Sequence, residues 1–562
     1  MTTSLAFLHP GLVLVAAALA LPFARGTLRA VLLLGAPLAA LAIVLLLPDG
    51  ATVRLAFLGY ELTPLRIDRL SRLFAIVFSI MAFAGALYAL LQPRTLELSA
   101  ALAYAGSAIG AVLAGDLVTL FVCWEAMAIA STLVVLSGGK GAEHAAFRYA
   151  LVHLLGGVLL MAGIAGEIQA TGSLAFGRID ASTTARQLIL AGFLVNAAAP
   201  PLSAWLSDAY PEASWSGMVF LSAFTTKTAV YVLLRAFPGT ELLIYVGLFM
   251  VFYGIVYAIL ENDMRRILAY SIVNQVGFMV TAVGIGTELA LNGAAAHAFT
   301  HIIYKALLLM SAGSVLLMTG RRKCTDLGGL FRTMPLTCLC GIVGALSISA
   351  FPATSGFVSK SMIAEAAAQQ HMALVWLLLA AASAGVFLHA GIKFPWFVFF
   401  QKDSGLRPPE PPANMRWAML LLSALCIGIG IWPGPLYALL PYDVPYVPYT
   451  PSHVVFQLQL LLFSGLAFFL LLGLLKRTLT ITLDTDWLWR RAGRALMGGL
   501  DDASGKAWEG LAIGTGETAR RFVRALYASH GPDGIFGRTW PTGTMALWTT
   551  LMLGAYLVLS YF

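Results

Sequence analysis

Apolar runs of eighteen or more residues recur from one end of this chain to the other, and no other feature limits its fold so strongly. A run of that length crosses the roughly 30 Å hydrocarbon core of a bilayer as a helix, and within hydrocarbon only helices and closed barrels satisfy their own backbone groups. About sixteen spans can be drawn, near residues 4–23, 27–47, 69–92, 96–115, 117–137, 148–168, 186–206, 214–236, 241–261, 267–286, 293–318, 335–358, 370–400, 416–438, 454–475 and 543–561. The expectation is an all-α polytopic membrane protein of about 14–16 transmembrane helices, and a charged fraction of 11% leaves no sizeable soluble domain. The opening MTTSLAFLHP has no basic stretch and no small-residue cleavage site, so the first run reads as a retained span. The five cysteines show neither metal nor disulfide spacing.

A net charge of +8 could suggest nucleic acid, but the placement of the charges points to topology instead. Loops after odd-numbered spans carry fourteen basic residues before the tail, among them Arg94, Arg148, Arg265, Arg266 and Arg322, and ten more follow between 476 and 538. The opposite face carries seven: Arg54, Arg66, Arg69, Arg72, Arg178, Arg186 and Arg235. By the positive-inside rule the richer face is cytoplasmic, which places both termini outside. Four basic residues remain, Lys227, Lys305, Lys360 and Lys393, each within or at the edge of a span. Only nine of the 35 basic residues are lysine, so the choice is informative. A buried lysine can shed and regain a proton, whereas an arginine stays charged.

Other titratable groups share those spans. His297, His301 and Lys305 fall at four-residue steps in AAAHAFTHIIYKALLLM, on one slowly drifting stripe of a helix. His389 and Lys393 are likewise four apart in FLHAGIKFPWFVFF. Glu125 lies mid-span; alone it would be protonated, and opposite a lysine it would stay charged. His153 is either a hydrogen-bonded core residue or a relay. Pro200 and Pro201 break one span just after Asn196, and Pro352 with Ser355 and Gly356 breaks another just before Lys360. A broken helix followed by a lysine helix thus occurs twice, at 186–236 and 335–400, with five spans per unit. An odd number inverts the second copy, so two inverted five-helix repeats, each with a broken helix, are expected.

The ordered set GDLVTLFVCWEAMAIAS, PPLSAWLSDAYPEAS, TK-x-x-VY around Lys227, RRILAYSIVNQVGF, HAFTHIIYKALLLMSAGS and FPATSGFVSK resembles the proton-conducting antiporter family. That family is shared by Mrp-type multisubunit cation/proton antiporters, the membrane arm of respiratory complex I and membrane-bound hydrogenases. The similarity covers roughly residues 60–400, and LHAGIKFPWFVFF with LDTDWLWRR leans toward the Mrp D-type subunits. The resemblance implies a chain of charges across mid-membrane. In it Glu125 is similar to the family's buried glutamate, Lys227 to its first-repeat lysine, and His297, His301 and Lys305 to the linking ladder. Lys360 is similar to the lysine beside the second break, and Lys393 to a further lysine of D-type subunits. Asn196 departs, standing where the family usually has a lysine paired with the glutamate; the Glu125 partner is then lost or shifted to Lys227.

The expected organisation is an N-terminal transmembrane scaffold (1–92), a first repeat (93–236), a second repeat (237–402), C-terminal transmembrane helices (403–475), an amphipathic interfacial segment (476–540) and a final span (541–562). The expected function is that of an ion-translocating subunit of a Mrp-type Na+/H+ antiporter in a bacterial plasma membrane. Its partners would be other membrane subunits, protons, Na+ and the lipid bilayer, with no nucleic acid, cofactor or metal. No phosphate loop, triad order or metal-ligand spacing supports an enzyme. Two alternatives stay open: an antiporter-like subunit of a complex I-like, hydrogenase or inorganic-carbon-uptake complex, and a structural subunit that has given up pumping.

Overall fold

Helices begin where a side chain can take over the free N–H groups of a first turn. α1 (Pro10–Ala20) starts on His9, whose ring accepts the Gly11 N–H at 3.1 Å, and α2 (Gly26–Leu46) follows it. The stretch 48–68, drawn from the sequence as a polar loop, is instead a hairpin in which β1 (Thr52–Phe57) pairs antiparallel with β2 (Tyr60–Arg66). Leu58 and Gly59 both take positive φ, the twist that joins two strands through a two-residue turn. Asp68 caps α3 (Arg69–Tyr88) in a reciprocal box with Ser71. α4 (Thr95–Leu113) precedes α5 (Leu117–Leu136), whose cap Asp116 accepts the Thr119 N–H with one oxygen and the Thr63 N–H with the other, both at 2.7 Å. The hairpin is thereby clasped to the bundle.

The computed structural model describes residues 8–475, 484, 486–539 and 541–561, in two compact units, Met1–Thr485 and Asp486–Phe562. After α6 (Ala142–Thr171) the first unit is built of interrupted helices. α7 (Thr184–Asn196) stops and α8 (Ala204–Ala209) resumes; α9 (Gly217–Leu221) stops and α10 (Thr225–Ala236) resumes. Three long helices follow, α11 (Leu242–Leu260), α12 (Met264–Ile285) and α13 (Glu288–Thr319). A second broken pair, α14 (Pro335–Ile348) and α15 (Ser355–Gln369), leads to α16 (Ala373–Val386), which continues as π-helical turns at Phe387–Lys393 and Trp396–Phe400. α17 (Ala413–Ile431), the short α18 (Gly434–Tyr437) and α19 (Pro451–Leu470) complete the unit.

The two proline-marked breaks use one backbone device. At the end of α7 the Ala198 N–H donates to the Val195 carbonyl (3.1 Å) and Ala199 to Leu194 (3.0 Å); at the end of α14, Ala350 donates to Ser347 (3.1 Å) and Phe351 to Leu346 (3.0 Å). Ala198 (φ 60°) and Ala350 (φ 57°) occupy the left-handed position usually given to glycine. The interruption between α9 and α10 has no proline or glycine to announce it. Two wholly buried apolar stretches, Gly217–Ala236 and Met264–Ile285, put α9, α10 and α12 at the centre of the bundle. Small residues permit the crossing of α11 on α12: a Cβ at Gly254 would meet the Tyr270 carbonyl oxygen at 2.6 Å.

Among the described residues, 13 helices are long and apolar enough to cross a membrane. The remaining expected spans correspond to α1 with its following turn and to the broken pairs α7/α8 and α14/α15. The second unit consists of α20 (Asp486–His530), 45 residues long, and α21 (Thr542–Tyr561), none of whose residues is buried. The part of the expected interfacial segment at 476–483 lies outside the described residues.

Candidate functional site

A helix that ends inside a bundle leaves carbonyl oxygens without partners, at the negative end of its dipole. Three of the four buried lysines sit on such ends. Lys227, in the first turn of α10, donates to the Ser222 carbonyl at the end of α9 (2.6 Å) and to Thr226 Oγ1 (3.1 Å). Lys360 in α15 reaches back across the break to the Ile348 carbonyl that ends α14 (2.9 Å), and its ammonium lies 4.9 Å from the centre of the Phe278 ring. Lys393 donates to the Ala258 (3.1 Å), Ile259 and Glu261 (2.6 Å) carbonyls at the end of α11. The widened π-helical backbone at 387–393 carries it there. Lys305 differs, donating from α13 to Ser271 Oγ (2.5 Å) and the Leu268 carbonyl (3.4 Å) of α12. Among the described residues the hydrogen-bond partners of the four ammonium groups are neutral oxygens, with a ring face beside Lys360; the Glu261 carboxylate acts on Lys393 from nearby.

The histidines fill the space between. His297 holds Ser359 Oγ through Nδ1 and Gln275 Oε1 through Nε2, both at 3.0 Å, while the Tyr304 hydroxyl donates to the same Gln275 oxygen (3.1 Å). The His301 ring lies 6.2 Å from that of His297, and neither of its nitrogens has a partner among the described residues. Lys227, Lys305, His297 and Lys360 all lie close enough to His301 for their charges to act on it. Lys305, Lys360 and Lys393 act in the same way on His389, which is anchored through Nδ1 to the Gly385 carbonyl (2.9 Å). A cavity of about 600 Å³ lined by Lys360, Ser361, Glu365, Tyr446, His453 and Gln457 gives Lys360 an open approach.

The first half is assembled differently. Glu125 is half-buried, and its Oε1 has no partner among the described residues. It packs on Gly157 of α6, where a Cβ would lie 2.1 Å from that oxygen. Among the described residues Lys227 bonds to Ser222 and Thr226 and not to Glu125, so the glutamate's partner has not shifted to Lys227. Asn196 is fully buried with both amide atoms unpartnered among the described residues. His153 bonds the Tyr149 carbonyl (2.9 Å) and stacks on the Tyr149 ring, and its Nε2 has no partner among the described residues. Sequence reasoning placed these three on separate spans; the structure gathers them at α6, where Gly156 and Gly157 make room for Asn196 and Glu125.

Several buried polar groups escaped sequence reasoning. Glu97 accepts from Ser214 (2.6 Å), Ser216 (2.5 Å) and Gln92 (3.2 Å), and Arg265 donates to the Pro211, Ala213 and Ser214 carbonyls at 2.7–2.8 Å. Together they fix the connection between α8 and α9. Asp484 accepts from Tyr270 (2.6 Å), from Ser207 of α8 (3.3 Å) and from Tyr253. No local motif announces them, because each partner comes from a distant part of the chain.

Residues 114–387 match the family model described as NADH:quinone oxidoreductase/Mrp antiporter, transmembrane. The D-type protein of the Na(+)/H(+) antiporter of Alkalihalophilus pseudofirmus is 32% identical over 357 residues, 58% of this chain and 71% of that protein. The chain belongs to this family. The A/B component of a probable K(+)/H(+) antiporter of Rhizobium meliloti is 30% identical over 410 residues, 67% of this chain, which spans only 41% of that longer protein. The fold is that of a chain in the Mrp complex from Dietzia sp. DQ12-45-1b, with a TM-score of 0.69 at 22% identity, covering 82% of this chain and all of that one. It is equally that of a chain in the membrane-bound sulfane sulfur reductase, an archaeal respiratory membrane complex, with a TM-score of 0.72 at 22% identity over 98% of this chain and 99% of that one. Antiporter proteins and components of respiratory complexes thus share the family's multi-pass scaffold.

Proposed function

We propose that the chain is an ion-translocating subunit of a multisubunit Mrp-type Na+/H+ antiporter, a transporter and not itself an enzyme. It would lie in a bacterial plasma membrane with its N-terminus outside, bound to other membrane subunits. The observation that carries this reading is the row of buried lysines Lys227, Lys305 and Lys360, held by neutral groups within range of one another's charge. An ammonium without a fixed counter-ion keeps or loses its proton according to whether its neighbours are charged. A proton arriving at Lys227 therefore disfavours the one on Lys305, and the effect passes through His301 and His297 to Lys360 and then to His389 and Lys393. Segments 93–236 and 237–402 act as the two repeats, each opening at its broken helix. The cavity at Lys360 supplies the approach to the second.

Lys227→Ala in the whole complex tests this. Na+-driven proton movement in everted vesicles is expected to fall to background while the complex still assembles. Unchanged antiport rejects the reading.

A second reading, a structural subunit that no longer pumps, is favoured by one observation: among the described residues the Asn196 amide and Glu125 Oε1 have no hydrogen-bond partner. Under it the parent chain is silent and Asn196→Lys brings transport back. Under the leading reading the parent is active, and a new ammonium at 196 pairs with Glu125 and changes the rate by less than about ten-fold.

A further inference from the structure

Four helices bring hydroxyl groups together around Thr225, two residues before Lys227. Tyr104 of α4 donates to the Leu221 carbonyl (3.4 Å), accepts the Thr225 N–H (2.9 Å) and pairs with the Thr225 hydroxyl (2.6 Å). The hydroxyls of Tyr149 on α6 and of Tyr210 at the end of α8 also face Thr225, and Tyr210 faces Tyr104 as well. Tyr149 donates to Ser131 Oγ on α5 (2.9 Å). The three tyrosine side chains are fully buried, and the Tyr210 hydroxyl has no partner within hydrogen-bonding geometry among the described residues.

Burying three phenols in an apolar bundle has a cost when their oxygens are not all bonded, and phenylalanine would fill the same volume without it. The retained hydroxyls are aligned for a task. Tyr210 belongs to the half-helix that follows the first break, and Tyr104 is bonded to the Leu221 carbonyl while Lys227 is bonded to the next one along, that of Ser222. The cluster therefore bridges the break and the first lysine.

We propose that Tyr210, Tyr104, Thr225 and Thr226 form a hydroxyl relay that delivers protons from the first helix break to Lys227. The inference rests on the reading of Lys227 as a transport residue. In each passage the neutral Lys227 amine takes a proton from the Thr226 hydroxyl bonded to it, that oxygen recovers one from Thr225, Thr225 from Tyr104, Tyr104 from Tyr210, and Tyr210 from a hydronium ion at the break, which leaves as water. No phenolate outlives the transfer, and one proton has moved. Tyr149 is a side branch that orients Thr225.

The test uses the whole complex in everted vesicles, with transport expressed per assembled complex. Tyr104→Phe and Tyr210→Phe keep the rings and remove only the oxygens. Each is expected to slow proton-coupled transport roughly ten-fold or more, the scale of losing one positioned proton donor. The double variant should be no slower than the slower single, since a series path is cut once. Proton supply then limits the rate, which should rise with acidity on the supplying side, whereas a packing defect lowers it by one factor at every pH. Tyr88→Phe, which removes a buried hydroxyl bonded to the Met310 carbonyl elsewhere in the bundle, should stay within about two-fold of the parent. Rates within two-fold for both relay variants, or losses that multiply without a change in pH profile, overturn the proposal. Lys227→Ala run alongside separates the failures: if it transports normally, the reading of Lys227 fails, and if it is silent while the tyrosine variants run normally, only the relay fails.

Discussion

Lys305→Met is expected to cut Na+/H+ antiport by roughly 100-fold or more, about 2.7 kcal/mol of lost coupling, without loss of the assembled complex. Lys305 lies on α13, and the charges of both Lys227 and Lys360 act on it. Its removal separates the two halves of the row. Methionine has a similar length and an adaptable thioether, so the fully buried site stays filled and the helix packing is kept. The informative comparison is Lys305→Arg. It preserves a positive charge beside Ser271 but holds its proton throughout, so it should be as inactive as the methionine variant. Activity in the arginine variant would mean that position 305 supplies only a static charge.

Gly356→Ala is expected to abolish transport through the backbone. A Cβ at Gly356 would fall 1.8 Å from the Ser347 carbonyl oxygen, which belongs to the other half of the broken helix. Real carbon–oxygen contacts lie well beyond that distance, so α14 and α15 must part. The Ile348 carbonyl next along is the anchor of Lys360, so the same shift removes that ammonium's partner at 2.9 Å. Overpacking of this kind costs about 1–3 kcal/mol, and a buried ammonium losing its acceptor adds a similar amount. A lower melting temperature of the purified complex together with background antiport is the expected pair of results. Normal transport would show that the tight joint at the second break plays no part in the cycle.

Much of the scaffold could be read before any coordinates, and the reasons differ by element. Proline fixes its own geometry, so Pro200, Pro201 and Pro352 marked the breaks directly. Lysine in an apolar run is costly enough to be conspicuous, so Lys227, Lys305, Lys360 and Lys393 stood out by type and position. The joint at 222–224 was invisible because it contains only Ser, Ala and Phe; it exists because Lys227 and Tyr104 take up the carbonyls it exposes. The hairpin at 52–66 looked like a loop because its strands are short and the first is largely exposed. The tyrosine cluster could not be seen at all, since Tyr104, Tyr149 and Tyr210 are ordinary residues on separate helices until the bundle closes. Nor could sequence decide what Glu125 meets; the answer, a glycine surface on α6, depends on how two helices cross.

The helix-end acceptors of Lys227 and Lys360 are peptide oxygens. An amine clasped by acids is released when the surroundings turn acidic enough to neutralise those acids. Main-chain oxygens do not titrate in any range a cell meets, so these seats are the same at both ends of a steep pH gradient. On the proposed function, what varies during turnover is the occupancy of the neighbouring seat, and the bath on either side would tune the supply of protons without loosening the seats themselves.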